Sequence, residues 1–159
     1  MSAAELHPRN AAVAERLREA GIDGEIVLLS DAASTAALAA AALGVEVGAI
    51  ANSLVFWCDE RPLLVMTSGA HRVDTAALAE RLGRGAIRRA KAEQVLEATG
   101  QVIGGVAPTG HPVRIETIVD EHLSTYPRLW AAVGTAHSVF PLTFEELVRL
   151  TGGRVERVD

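Results

Sequence analysis

Apolar residues recur along this chain with two different periods, and the pattern predicts both helices and strands. Spacings of three and four residues, bounded by capping residues and glycines, predict helices at 8–20, 35–44, 74–82, 91–99 and 143–152, the second capped by Ser34 or Thr35. Short apolar runs predict strands at 25–29, 53–58, 63–67, 86–89, 101–106, 113–119, 130–133, 138–142 and 154–158. Several neighbouring strands are joined by turns too short for a parallel crossover. We therefore expect a mixed sheet with helices packed around it, in the α/β (mixed α+β) class.

Residues 104–112 interrupt this pattern with three glycines and two prolines. Glycine adopts backbone conformations closed to other residues, and proline fixes its own φ and favours extended geometry before it. We expect a stiff loop, here called the glycine loop, whose backbone N–H groups face outward. Such groups bind an anion or a developing oxyanion without a charged side chain. The alternative is a tight connection that needs glycine only to turn.

Composition places the chain among ordinary globular domains. Its 159 residues, 49% apolar and 22% charged, suit one domain spanning 1–159 with a full core. The single cysteine, Cys58, excludes an internal disulfide and a cysteine-based zinc cage, and makes the cytoplasm the expected compartment. No signal segment is visible at the start, and Glu46 and two glycines interrupt the alanine-rich run at 32–51, so we expect no membrane span.

Charge is unevenly distributed along the chain. The net charge of −5 argues against a general nucleic-acid coat protein. Residues 71–91, however, carry six basic side chains against two acidic ones, and Arg72, Arg88 and Arg89 are among them. This basic strip predicts contacts with phosphate groups, and the alternative is a solvated helix face. Lys91 is the only lysine, which excludes most lysine chemistry.

No sequence motif marks a metal ion or a strong nucleophile. The five histidines form no HExxH pair and no Gly-x-Ser-x-Gly turn occurs, so we expect no metal and no cofactor. His111, beside the glycine loop, is the best general acid or base candidate by position, and a hydrogen-bonding loop histidine is the alternative. Asp120 follows a predicted strand, where a helix cap is favoured over a catalytic acid. An enzyme built from these residues would work by positioning and by backbone donors.

Several ordered motifs together resemble one known family. Thr35 opens an alanine-rich helix, and residues 47–56 read VGAIANSLVF. Residues 104–111 contain a Gly-x-x-x-Pro pattern at Gly104 and Pro108, Asp120 follows, and residues 126–135 read YPRLWAAVGT. Over almost its whole length the chain resembles the YbaK/EbsC family of aminoacyl-tRNA editing domains, which is related to the inserted editing domain of prolyl-tRNA synthetases.

This resemblance implies a compact YbaK-like domain with a mixed, partly barrel-like sheet that hydrolyses a wrong amino acid from tRNA. Backbone donors of Gly104 and Gly105 would meet the ester carbonyl, and water would attack with help from a hydroxyl or thiol of the substrate. Asn52, where relatives commonly carry lysine, is the third catalytic candidate. The substrate-binding residues that the resemblance implies are Thr35, Ser53, Val106, Pro108, Gly110, His111, Ala132 and Gly134.

The sequence leaves three functions open. The leading one is a freestanding trans-editing deacylase, a monomer whose partners are the acceptor end of a mischarged tRNA and, as a further candidate, an aminoacyl-tRNA synthetase. The second is a non-catalytic module that binds a tRNA end or a synthetase, because Asn52 lacks the charge of lysine and Ala132 stands where some relatives have serine. The third is a hydrolase of small esters or amides unrelated to tRNA. The shape of the pocket decides which amino acid is removed.

Overall fold

The computed structural model describes residues 8–30, 33 and 35–159. The start of the chain, where no signal segment is expected, and Ser34, the alternative cap of the second helix, lie outside the described residues. The helices are α1 (Pro8–Glu19), α2 (Ala36–Leu43), α3 (Thr75–Leu82), α4 (Ala92–Thr99) and α5 (Phe144–Thr151). The strands are β1 (Val27–Leu28), β2 (Ala51–Cys58), β3 (Arg61–Ser68), β4 (Ile87–Arg89), β5 (Glu116–Asp120), β6 (Leu129–Ala132), β7 (Ser138–Leu142) and β8 (Arg154–Glu156). All five predicted helices are confirmed.

Local capping chemistry explains where the helices begin and end. Thr35 Oγ1 accepts a hydrogen bond from the Leu38 N–H at 3.2 Å and so caps α2, which ends at Gly44 with φ +68°. Thr143 and Glu146 form the predicted capping box of α5. None of the described helices is both long and apolar enough to cross a membrane.

The strands form two sheets that meet at a seam. The larger sheet has the order β4-β2-β3-β5-β8, with an antiparallel β2–β3 hairpin and parallel pairing of β3, β5 and β8. The smaller sheet, β1-β7-β6, is antiparallel. A parallel bridge between Ile50 and Trp130 links them. The sheet arrangement is therefore mixed and joined at one edge, without closing into a barrel in the described part of the chain.

Strand β3 lies at the centre of the core because both of its faces are buried. Leu64 and Met66 face the larger hydrophobic cluster, which also receives α1, α4, α5 and the smaller sheet. Leu63 and Val65 face a second cluster, which contains Leu78 of α3. The period of two along the strand thus divides its side chains between two layers. A third cluster packs α2 over the seam against Ile50 and Trp130.

The predicted strand at 101–106 is wrong. The Gly105 N–H donates to the Val102 carbonyl at 2.9 Å, which closes a turn, and Gly104 has the φ of +90° that the third position of a type II turn requires. Val102 and Ile103 are exposed on this turn, 38% and 57%, so their apolar run had no sheet face to bury. The predicted strands at 25–29, 113–119 and 154–158 are shorter than expected.

Candidate functional site

A small open cleft lies at the seam between the two sheets. Helix α2, the start of β2, the glycine loop and the β6–β7 region form its walls. Six of the predicted site residues line it, namely Thr35, Asn52, Ser53, Gly104, Val106 and Ala132. The structure therefore brings together residues that are far apart in the sequence, from α2 to β6.

The Asn52 side chain is positioned by the hairpin and is open to a ligand. It follows Ala51, the first residue of β2, and pairs with Thr67 of β3. The side chain is half-buried, and within the described residues its amide has no hydrogen-bond partner. Ser53, next along the strand, donates its hydroxyl to Met66 Sδ at 3.2 Å. Asn52 thus offers the cleft one neutral amide, which both donates and accepts hydrogen bonds.

The glycine loop has two backbone donors without a partner among the described residues, but they are not the pair expected from the sequence. The Gly105 N–H is already used in its bond to the Val102 carbonyl, in the turn that leads into the loop. In the part of the chain described here, the N–H groups of Gly104 and Val106 have no hydrogen-bond partner. A Cβ on Gly105 would lie 2.6 Å from the Thr135 Cα, so this glycine is needed for close packing against the backbone.

Gln101 holds the loop in place, and the sequence analysis missed it. Its buried side chain accepts a hydrogen bond from the Ala107 N–H at 2.6 Å and donates one to the Thr109 carbonyl at 3.2 Å. The Thr99 hydroxyl accepts a bond from the Gln101 N–H at 3.0 Å. The only signal in the sequence was a glutamine directly after the helix-ending Gly100, where an amide can bond to nearby backbone.

A wall of hydroxyl groups, also missed from the sequence, faces the loop. Thr135 Oγ1 lies 2.9 Å from Ser138 Oγ, and both residues line the cleft. Asn10 of α1 donates to Ser138 Oγ at 2.8 Å, so the wall is tied to the first helix. Gly134, with φ +96°, lies directly behind the wall, where a Cβ would come within 2.9 Å of the Arg9 carbonyl oxygen. Gly134 is therefore placed where it shapes the backbone of the cleft rather than its lining.

The cleft carries no ionisable group among the described residues that line it. Its donors are backbone amides, one side-chain amide and hydroxyls, and its apolar side is made of small residues such as Ala36, Ala39 and Ala132. Dipoles of this kind stabilise developing negative charge without a proton transfer of their own. The described residues also contain no cluster of three or more His, Cys, Asp or Glu side chains that could hold a metal ion.

Three predicted site residues, Pro108, Gly110 and His111, line a different cavity on the other side of the glycine loop. The His111 Nε2 lies 2.9 Å from the Ala107 carbonyl oxygen. Because a carbonyl only accepts, Nε2 carries the hydrogen. Burial lowers the pKa of His111, and the charge of Arg16 lowers it further, which favours the neutral ring. The structure thus places the best acid–base candidate from the sequence away from the lining of the cleft.

The basic strip also lies apart from the cleft. Arg88 and Arg89 are exposed on β4, the edge strand of the larger sheet, where they pair with Trp57 and Phe56 near the far end of β2. The Arg89 guanidinium carbon lies 5.7 Å from the centre of the Phe56 ring. Arg72 is exposed between β3 and α3. Contact of these three arginines with tRNA stays a prediction.

Asp120 is buried, and its carboxylate connects several segments near the start of β2 through hydrogen bonds. One carboxylate oxygen accepts hydrogen bonds from the Ser68 N–H and from His71 Nδ1, both at 2.9 Å. The other accepts from the His122 N–H at 3.0 Å and caps the 3-10 helix Glu121–Thr125, which confirms the predicted cap. The Ser68 hydroxyl donates to the Gly48 carbonyl at 2.7 Å. Asp120 is therefore connected through Ser68 to the turn that leads into Asn52.

The chain matches a family model and has relatives of known structure. A family model described as an aminoacyl-tRNA editing domain matches residues 30–150. The crystal structure of a "putative trans-editing enzyme for prolyl tRNA synthetase" superposes with a TM-score of 0.90 and 38% identity, over 98% of this chain and 99% of that one. The crystal structure of hypothetical protein APE2540 superposes with a TM-score of 0.84 and 28% identity, over 92% of this chain and 98% of that one. The uncharacterized protein YwhH of Bacillus subtilis (strain 168) is 28% identical over 134 residues, which are 84% of this chain and 85% of that protein.

Proposed function

Because the chain belongs to the aminoacyl-tRNA editing domain family, we propose that it is a trans-editing deacylase. It hydrolyses the ester that joins a wrong amino acid to the acceptor end of a tRNA, and the cleft holds that ester. One observation carries this assignment. The Asn52 amide and the N–H groups of Gly104 and Val106 belong to residues lining the same cleft, and none of them has a partner within the described residues.

The proposed reaction uses these groups to hold charge as it develops. The Gly104 and Val106 N–H groups donate to the ester carbonyl oxygen, and the Asn52 amide binds the terminal ribose. Water attacks the carbonyl carbon, a new C–O bond forms, and the ester C–O bond then breaks toward the ribose. One proton of the attacking water ends on the ribose oxygen, with a hydroxyl or thiol of the substrate assisting, and the other is released by the new carboxyl group. The products are the free amino acid and a tRNA with a free ribose hydroxyl.

This division of work fits a cleft whose described lining has no ionisable side chain. Removal of one oxyanion-hole donor costs about 2.7–4 kcal/mol in an enzyme of known mechanism, because such dipoles are fixed before the charge appears. Holding ester and water together adds a further large effect, since their translational freedom is already given up on binding. The small apolar side chains around Ala36, Ala39 and Ala132 would face the amino acid and select it by size.

A panel of mischarged tRNAs tests the proposal. The relative named for prolyl-tRNA synthetase makes tRNAs mischarged by that enzyme the first members of the panel. We expect turnover of at least one member at a rate proportional to protein concentration and well above spontaneous hydrolysis. Failure to hydrolyse any member, with a correctly folded protein, would overturn the deacylase assignment.

A second candidate function is a binding module without turnover. It is favoured by Asn52, whose neutral amide forms weaker hydrogen bonds to phosphate than a charged amine does. Saturable binding of a mischarged tRNA or of a synthetase, with the ester left intact, would support it. Hydrolysis of simple amino acid esters with no preference for the tRNA-linked form would instead support a small-ester hydrolase.

A further inference from the structure

A cavity lined by three arginines lies on the far side of the glycine loop from the cleft. Arg16 comes from α1, Arg114 from the segment before β5, and Arg149 from α5. No carboxylate is among the described residues that line this cavity. In a chain with a net charge of −5, the cavity is therefore a local concentration of positive charge.

Two of the three guanidinium groups are held in place by helix ends. Arg114 donates to the Thr151 carbonyl at 3.4 Å, at the C-terminal end of α5, and Arg149 donates to the Ala20 carbonyl at 3.1 Å, just beyond α1. In the described part of the chain, none of the three arginines forms an ion pair with a carboxylate. A guanidinium has five N–H donors, so most of the donors of Arg114 and Arg149 stay free to bind a ligand.

The other lining groups are suited to a polar ligand. His111 donates Nε2–H to the Ala107 carbonyl, so its Nδ1 is only an acceptor and the donors for an anion come from the arginines. Thr109 and Gly110 add main-chain atoms of the glycine loop to the wall. An anion with oxygen atoms on several sides, such as a phosphate group, matches donors that come from three directions.

We propose that this arginine cavity binds phosphate groups of the tRNA acceptor arm while the cleft holds the ester. The inference rests on the proposed function, since it names where the same substrate is gripped. One loop forms a wall of both spaces: Gly104 and Val106 line the cleft, and Pro108 to His111 line the cavity. We expect the phosphates nearest to a ribose held in the cleft to lie along the loop's other side.

Salt-dependent binding of uncharged tRNA tests this inference without any chemistry. Binding would be followed by fluorescence anisotropy over a series of KCl concentrations, with wild type and Arg16→Gln. The matched control is Arg18→Gln, because both arginines are exposed in the last turn of α1 and only Arg16 lines the cavity. The slope of log K against log salt is negative, and removal of one arginine–phosphate contact should reduce its magnitude by about 0.7–0.9. We expect this decrease for Arg16→Gln and an unchanged slope for Arg18→Gln.

Further variants separate charge from geometry. Arg149→Gln should also reduce the magnitude of the slope, and the double variant with Arg16→Gln should reduce it by about twice as much. Arg16→Lys should keep the slope, because the charge remains, while weakening affinity severalfold through loss of the planar fork. Circular dichroism of every variant checks that the total helix content is unchanged.

Several results would overturn the inference. Equal slopes for wild type and Arg16→Gln would do so, and so would an equal decrease in Arg18→Gln, which would indicate unspecific surface charge. Tighter binding of inorganic phosphate than of tRNA would assign the cavity to a free anion. Because the probe is uncharged tRNA, a protein that binds it through Arg16 yet hydrolyses no ester would refute the deacylase and leave the phosphate site standing.

Discussion

On the side of the glycine loop that faces α2, the cleft offers amides, hydroxyls and small apolar side chains. On the side that faces α1 and α5, the cavity offers three guanidinium groups and a half-buried histidine. A site that stabilises a developing oxyanion benefits from fixed dipoles in a partly dry space, where each dipole acts strongly. A site that attracts RNA benefits from exposed positive charge, and the attraction weakens as the salt concentration rises. One loop keeps these two environments apart.

The comparison also shows why the loop must be rigid. If the cavity holds phosphates and the cleft holds the ester, the distance between them is set by the loop backbone. Gln101 fixes that backbone through its hydrogen bonds to Ala107 and Thr109. Gly105 packs closely against the backbone of Thr135. Small shifts of a substrate relative to catalytic groups cost large factors in rate. The strongest predictions therefore concern the residues that hold the loop.

The largest expected effect is that of Gly105→Val on the fold. The added Cβ would lie 2.6–2.9 Å from backbone atoms of Thr135, which have no freedom to move as a side chain would. Overpacking of this kind should destabilise the protein by about 3 kcal/mol. Urea denaturation followed by circular dichroism measures the change. A variant with the wild-type midpoint would show that the β6–β7 connection yields easily and that the loop is not clamped.

Gln101→Leu should have the next largest effect, on both sides of the loop together. It removes two hydrogen bonds and leaves the buried Ala107 N–H without its acceptor, which costs about 1–3 kcal/mol. We expect a lower denaturation midpoint, together with weaker tRNA binding and slower deacylation. Gln101→Glu retains an acceptor for Ala107 and is the comparison variant. Loss of only one of the two functions would mean that the loop does not couple the cleft to the cavity.

The fold could largely be predicted because its signals are local. Thr35 and Gly44 bound α2, and Thr143 opens α5, through contacts only a few residues apart. The predicted strand at 101–106 failed because an apolar run shows that burial is favourable but does not identify a partner strand. Here Val102 and Ile103 remain exposed on a turn.

The site was predicted less completely, because much of it depends on distant contacts. Asn52 and Gly104 carry motif signals and both line the cleft. Ser138 lies there too, but it is oriented by Asn10, which is 128 residues away. The arginine cavity combines α1, the glycine loop and α5, whereas counting charges along the chain found only the contiguous strip at 71–91. Charge brought together by folding leaves no such signal in the sequence.

Substitution of Asn52 should affect the cleft side alone. Asn52→Ala removes one neutral hydrogen bond of about 1–2 kcal/mol and should lower kcat/KM about tenfold or more. Asn52→Lys should keep or raise activity, because it restores the amine that relatives commonly present there. Deacylation kinetics on the best mischarged tRNA gives both values, and the affinity for uncharged tRNA and its salt slope are measured in parallel. Wild-type kcat/KM in Asn52→Ala would show that the ester lies elsewhere.

The smallest expected effect is a pH dependence that arises on the cavity side, at His111. Its pKa is lowered in the folded protein, chiefly by burial, so the unfolded chain binds more protons as pH falls below the ordinary value of 6.5. The stability that the neutral ring contributes is present above this pH and is lost as pH falls below it.

His111→Gln keeps an N–H donor for the Ala107 carbonyl but cannot titrate. Thermal denaturation of both proteins between pH 8 and pH 5 isolates this residue, because the other histidines titrate in both and cancel in the difference. Wild type should lose more stability than the variant over that range. If the stabilities of wild type and variant changed equally with pH, the cavity would not lower the pKa of His111.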